Sequence, residues 1–248
     1  MALDAKSYDQ QWKMLQDFIE YNPGARHRRR LINSAIREHG LASSSVIDVG
    51  CGLGFTVQAV AELLPLADIT GLDLSPVAIA GATERFPNHS WRVFDIVNTS
   101  MAETAEIVIF TEVVEHLDDW RTGITRAADF VAVGGLLVLT TQAGRIHNTE
   151  KEVGHIRHFT AEELSEILSG LGFEVVRSQT WGWPGYVFLK YLANINSRRT
   201  LDAFGSGKYG MIARWLNNLA YLFTYLGSVP NHRQGTQILI VARKSGQV

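Results

Sequence analysis

The stretch Val46-Ile-Asp-Val-Gly50-Cys-Gly52-Leu-Gly54-Phe55 decides how this chain is read. Val46–Val49 is a short, β-branched apolar run, and a helical pattern opens at Thr56, so the three glycines fall on a strand-to-helix turn. Glycine lets a backbone approach a ligand closely, and the helix beyond presents free N–H groups. A tight turn with a helix cap is the plain alternative. Two carboxylates tip the balance toward a nucleoside site. Asp73 ends the next apolar run, 19 residues after Gly54, where it can accept from ribose hydroxyls. Asp95 ends the run after that, in reach of an adenine edge.

Working outward, further apolar runs lie at Asp68–Leu72, Trp91–Phe94, Glu106–Phe110, Leu136–Thr141 and Phe173–Val176, each bounded by Gly, Pro, Asn or Asp. Helical patterns alternate with them at Arg28–Glu38, Thr56–Leu64, Pro76–Arg85, Trp120–Val131 and Ala161–Ser169. Ser75-Pro76 reads as a helix cap followed by proline at the first helical position, and Thr160-x-x-Glu163 as a capping box. Alternating βαβα with near-continuous apolar strands implies an α/β fold, a mostly parallel sheet with helices on both faces. Gln237–Ala242 supplies a seventh strand. The segment before it therefore reads as an inserted helical cap, residues 181–234. Residues 1–180 and 235–248 form the core, with an N-terminal helical lid in which Tyr8, Trp12 and Phe18 close over the site.

Composition bounds the partners. The 248 residues are 46% hydrophobic and 19% charged, with a formal charge of −2, which suits a globular chain with no global attraction to nucleic acid. Cys51 stands alone, so neither an internal disulfide nor a CxxC zinc pair is available, and a reducing compartment is expected. The opening MALDAKSYDQQWKM lacks the apolar core of a signal peptide, and no membrane-spanning stretch is present, so a cytoplasmic protein is expected.

A dinucleotide fingerprint, GxGxxG, would place its third glycine at position 55, which is Phe55; this weighs against a nicotinamide oxidoreductase. The actual spacing is GxGxG, with Asp48 two residues ahead of Gly50. This resembles motif I of class I S-adenosylmethionine-dependent methyltransferases. Asp73-Leu74-Ser-Pro, Phe94-Asp95-Ile96, Gly134-Gly135-Leu-Leu-Val-Leu-Thr and Gly170-Leu-Gly-Phe173 are similar to that family's later motifs, in its order. The likeness covers roughly residues 25–180 and the last strand. It implies a Rossmann-like, seven-stranded sheet that binds S-adenosyl-L-methionine through Asp48, Gly50, Gly52, Gly54, Asp73, Leu74, Asp95, Ile96 and Thr111. Thr111-Glu112-Val-Val-Glu115-His116-Leu further resembles the EVxEH element of ubiquinone-pathway O-methyltransferases. By that resemblance Arg30 is expected beside the methionine carboxylate, where a guanidinium binds bidentately. A solvated helix face is the alternative for the run Arg26–Arg30.

Methyl transfer from a sulfonium needs an acceptor held behind the methyl, and a hydroxyl acceptor must also lose its proton. His116, His155 and Glu115 are the catalytic candidates. Three readings stay open: a general base at His116 or His155; a divalent metal (Mg, Mn or Zn) held by Glu112, Glu115, His116 and His155, as resemblance to small-RNA 2′-O-methyltransferases implies; or positioning alone. An N-methyltransferase of a small amine and a non-catalytic nucleoside-binding module are the alternatives.

Residues 180–234 carry six basic side chains against a single acid, Asp202, and 181–225 holds 11 of the chain's 24 aromatics. Residues 181–230 read as two helices separated by Phe204-Gly-Ser-Gly207, the second over roughly Tyr209–Leu226 and apolar nearly all round. A lid over a small-molecule methyl acceptor, a homodimer surface on an otherwise monomeric chain, and a peripheral contact with the inner membrane surface are the three readings of this insert.

Overall fold

In a computed structural model the described residues are 5–14, 16–39, 45–204 and 208–246. Three N-terminal helices come first: α1 (Ala5–Met14), α2 (Gln16–Tyr21) and α3 (Pro23–Glu38). The sheet then builds through β1 (Ser45–Val49), α4 (Phe55–Leu63), β2 (Asp68–Asp73), α5 (Pro76–Arg85), β3 (Ser90–Val93) and β4 (Ala105–Thr111). A 3₁₀ turn at Val114–His116 leads to α6 (Trp120–Asp129), β5 (Val131–Gln142), α7 (Asn148–Glu152), α8 (Ala161–Gly170) and β6 (Phe173–Trp181). The insert consists of α9 (Gly185–Ile195), α10 (Ser197–Phe204) and α11 (Met211–Leu226), and β7 (Gln237–Lys244) closes the chain.

The seven strands order as β3-β2-β1-β4-β5-β7-β6, and β7 alone runs antiparallel to its neighbours. The chain leaves β1 for β2 on one side and later returns to β4 on the other. The carboxyl ends of β1 and β4 therefore flank a crevice at the point where strand order reverses, the place where open α/β sheets bind ligands. The buried core lies on both faces. Val108, Phe110 and Leu137 pack under α6 and α8, and Ile107, Ile109 and Val138 pack under α3 and α4. The expected α/β fold with helices on both faces is the one observed.

Several boundaries move for local reasons. Asn22 caps α3, its Oδ1 accepting from the Ala25 N–H at 2.9 Å with Pro23 at the first helical position, so that helix opens a turn before the expected Arg28. Ser75 caps α5 as expected, accepting from the Ala78 N–H at 3.1 Å, and Thr160 caps α8. β6 runs on to Trp181 through Arg177, Ser178 and Gln179, because it pairs with β7 on both sides of an irregularity at Val176 while one face stays wet; an apolar run cannot reveal such an edge strand. The first inserted helix is two, broken between Ile195 and Ser197. Of the expected break at Phe204-Gly-Ser-Gly207, residues 205–207 lie outside the described residues.

Candidate active site

A cavity of about 650 Å³ opens at the carboxyl ends of the strands and runs from Asp95, past Asp48 and Gly50, to Lys190 of the insert. Its shape begins with the glycine turn. Gly50 and Gly52 take left-handed φ values of 76° and 52°; a Cβ at Gly50 would fall 2.1 Å from Val113, and one at Gly52 would fall 2.5 Å from the Trp12 ring. The turn is thus pressed between the end of β4 and the N-terminal lid. Tyr8, Trp12 and Phe18 all line the cavity. Asp9 anchors the lid by accepting a hydrogen bond from the Ser75 hydroxyl at the start of α5.

Asp73 organises the turn as well as facing the cavity. Its Oδ2 accepts from the Gly52 N–H at 2.8 Å and its Oδ1 from the Ser75 N–H at 2.9 Å. Burial nevertheless outweighs these bonds and pushes its carboxyl up to about 6. Asp48 is also buried, but both its oxygens lack partners. Burial, with the Asp73 charge behind it, raises its pKa to about 8. Asp95 lies farther along, accepting from the Val97 and Asn98 backbone and from Asn98 Nδ2. Leu74, Ile96 and Thr111 line the same cavity, and the buried Thr111 hydroxyl has no partner. Gly52 and Gly54 shape the turn against Trp12 and Trp91 and are not themselves among the lining residues.

Arg30 is not brought to the site. It is exposed, lies over the Tyr225 ring at 4.2 Å and donates to the Tyr225 hydroxyl at 3.3 Å. Arg28 and Arg29 line the cavity in its place. Residues one and two positions apart on a helix point 100° and 200° apart, and the packing of α3 against α11 selects which arginines turn inward. Arg29 donates to the carbonyl oxygens of Ile19 and Glu20 at 3.3 and 2.9 Å and sits 5.7 Å from the Phe55 ring, beside the glycine turn. Burial, then Arg28 and Arg26, lower its pKa to about 10.

The four residues expected around a metal divide. A donor atom from each of Glu115, His116 and His155 lies within 4.8 Å of the others. Glu112 is otherwise engaged: it pairs with Arg28 at 3.0 Å and accepts from Thr140 and Gln142, both at 3.3 Å. Its φ of 53° is a strained value for a non-glycine residue at the end of β4. Glu115 is fully buried; Oε2 accepts from the Thr141 hydroxyl at 2.8 Å, while Oε1 has no partner. Burial, reinforced by Glu112, pushes this carboxyl well above its ordinary range. Burial lowers His116 to about 4, and burial together with its histidine neighbours lowers His155 to about 2. Both are therefore neutral imidazoles near pH 7, with ring centroids 4.6 Å apart.

Three comparisons with known proteins bear on this arrangement. A family model described as a methyltransferase domain matches residues 24–178. The chain belongs to the methyltransferase domain family. It is 26% identical over 144 residues to a probable S-adenosylmethionine-dependent methyltransferase of Mycolicibacterium smegmatis, covering 55% of this chain and 54% of that one. It is also 26% identical over 139 residues to a malonyl-[acyl-carrier protein] O-methyltransferase of Bacillus anthracis, covering 55% and 49%. The chain thus spans about half the length of these curated relatives. N-methyltransferase NodS from Bradyrhizobium japonicum, solved with S-adenosyl-L-homocysteine, shares the fold at a TM-score of 0.61 and 21% identity, over 98% of this chain and 100% of that one. The fold is that of class I S-adenosylmethionine-dependent methyltransferases.

In this chain the polar floor extends beyond the motif residues. Lys190 of α9 is buried, pairs with Glu150 of α7 and donates to Gln142 Oε1 at 3.0 Å. The His147 N–H donates to Glu150 at 2.6 Å, and His158 Nε2 sits 3.0 Å from His155 Nδ1. Arg28, Glu112, Gln142, Lys190 and Glu150 thus form a chain of contacts across the floor. Lys190, Glu150 and Gln142 are absent from a reading of the sequence motifs. One signal was available: Lys190 is the lone charge on an otherwise apolar helix.

The residues present fit the methyl donor. Asp48 offers two buried, unpartnered oxygens to a cationic group, and Arg29 offers a guanidinium with no carboxylate partner among the described residues. Glu115, His116 and His155 could also hold a divalent ion, since Glu115 Oε1 and His116 Nδ1 are both buried and unpartnered.

Proposed function

We propose that this chain transfers a methyl group from S-adenosylmethionine to a hydroxyl of a small amphipathic or anionic molecule. The charge state of the cavity floor carries the choice of oxygen. Glu112 and Glu150 are already paired with Arg28 and Lys190, and burial pushes the Glu115 carboxyl well above its ordinary range. Among the described residues, no unpaired carboxylate remains on that floor to hold an ammonium acceptor, Asp48 and Asp73 lying at the glycine turn, whereas His116 and His155 stand as neutral imidazoles, the form that accepts a proton. Phe18, Leu189 and Leu201 add apolar surface to the lining of the same cavity, which suits an acceptor with one polar end. Similarity to an acyl-carrier-protein O-methyltransferase supports oxygen as the receiving atom.

On this reading Asp48, Asp73 and Arg29 hold the donor along the tips of β1 and β2, and the lid excludes water. Aligning the acceptor behind the methyl removes most of the entropic barrier to an in-line displacement. His116 takes the hydroxyl proton, and His155, oriented by His158, keeps that imidazole in place. A divalent ion at Glu115, His116 and His155 would supply Lewis-acid stabilisation of the alkoxide when bound.

The test uses purified protein, labelled S-adenosylmethionine and fractionated extract. Label should appear in a base-stable methyl ether, and a base-labile methyl ester would move the acceptor to a carboxylate. His116→Asn should slow turnover roughly 10²–10⁴-fold while leaving S-adenosylhomocysteine affinity unchanged. Absence of donor binding in calorimetry overturns the reading. Binding without any labelled product favours a non-catalytic module, and label on nitrogen moves the assignment to amines. Insensitivity to EDTA removes the metal.

A further inference from the structure

Helix α11 is packed inside out. The positions turned toward the protein are small or polar: Ala213, Asn217, Ala220 and the fully buried Thr224. The positions turned to solvent are large and apolar apart from Arg214 and Asn218, which engage Asp17 and Arg26. Ile212, Trp215, Leu219, Leu222 and Leu226 recur at helical spacing, with exposures between 45% and 77%. Phe188, Leu192 and Ile195 form a similar exposed stripe on α9, and the two helices meet at an edge-on contact between Phe188 and Phe223. Together they make a continuous apolar face, and isolated surface leucines do not account for it. No helix is long and apolar enough to cross a membrane, among the described residues.

Charge decides what covers this face. Arg198 and Arg199 follow Ile195 within one turn, Lys208 lies three residues before Met211, and Arg233 follows the far end of α11. All four are exposed, and none has a carboxylate partner among the described residues. Pairing two copies through this face would bring two net-positive surfaces together. Lipid phosphates offer the opposite charge, and the exposed Trp215 and Tyr191 are amphipathic aromatics of the kind that settle at headgroup depth. We propose that the outer face of α9 and α11 docks on an anionic lipid bilayer, lying in the interface with its aliphatic side chains buried and its arginines and lysine on phosphates. The inner faces of the same helices line the cavity through Leu189, Ala193 and Ala220, so the docked surface is the back of the acceptor chamber.

The experiment is flotation of the intact chain with phosphatidylcholine vesicles, alone or containing about one-third phosphatidylglycerol. The protein should float with the anionic vesicles, remain behind with phosphatidylcholine, and be released in part by about 0.5 M salt. Trp215→Ser combined with Leu219→Ser should weaken partitioning at least tenfold while leaving the thermal melt unchanged. Arg198→Gln with Arg199→Gln should remove the preference for anionic lipid. Failure of the wild-type chain to float overturns the proposal, as does undiminished flotation of the serine variant. A concentration-dependent dimer that the serine variant dissolves, seen by light scattering, would assign the face to a second copy instead.

Discussion

On the proposed function, Asp48 makes binding of the methyl donor a proton-releasing step. Its carboxyl is buried, lacks any hydrogen-bond partner, and is held near pKa 8 by burial and by Asp73. At pH 7 it is thus about nine-tenths protonated in the free protein. A cationic amino group placed against it favours the anion, so binding S-adenosylhomocysteine should expel close to one proton at pH 7. The sign follows from the raised pKa: the neutral form is favoured without ligand, and the anion is needed with it. Affinity should therefore fall as pH drops below 8, by roughly tenfold per unit, or about 1.4 kcal/mol, down to about pH 6.5. Below that Asp73 begins to contribute, since it is held at about 6. Calorimetry at pH 7 in two buffers of different ionisation enthalpy counts the protons directly, and repeating it at pH 8 gives the slope. Asp48→Asn should bind more weakly and lose both the proton release and the pH dependence. A wild-type proton count near zero, or an Asn variant with the same slope, would show that Asp48 does not meet the ligand's cation.

Other outcomes follow from the same contacts. Asp73→Ala orphans the buried Gly52 and Ser75 N–H groups, at about 1–3 kcal/mol each, so both the urea midpoint and S-adenosylhomocysteine affinity should fall. Unchanged affinity would confine Asp73 to a structural role. Lys190→Met leaves Glu150 buried without its cation and should cost about 3–5 kcal/mol in urea unfolding, while Lys190→Met with Glu150→Gln should recover much of it. No recovery would show that the lysine acts by packing alone. His27 is buried against Trp181, and burial, then Arg30, lowers its pKa to about 4. A histidine held neutral contributes stability that is present above pH 6.5 and lost as pH falls toward 4, about 3 kcal/mol in all. The difference between wild type and His27→Phe should grow less favourable to the wild type across that window, and a constant difference would refute it.

Local signals carried much of this protein. A strand, three glycines and a helix start are contiguous, so the position of the ligand crevice was legible, as were Asp48, Asp73 and Asp95 at strand ends. Ser75 and Thr160 announced their helices because a cap is a contact between residues three apart. The arginine run was legible as a group but not by member. Arg28, Arg29 and Arg30 differ only in helical phase, and the phase is set when α3 packs on the insert.

What the linear order determined is therefore the α/β architecture and the end of the cavity built by the glycine turn, because both rest on periodicity and on neighbours in the chain. Tertiary structure decided the polar floor at the other end. Glu112 and Arg28 lie 84 residues apart, and Lys190 and Glu150 lie 40 apart, so whether each charge is free or spent emerges only on folding. The direction in which α11 faces was settled the same way. A helix apolar nearly all round offers its sequence no preferred side, and its packing against the body turned the small and polar residues inward and the large apolar ones to the outside.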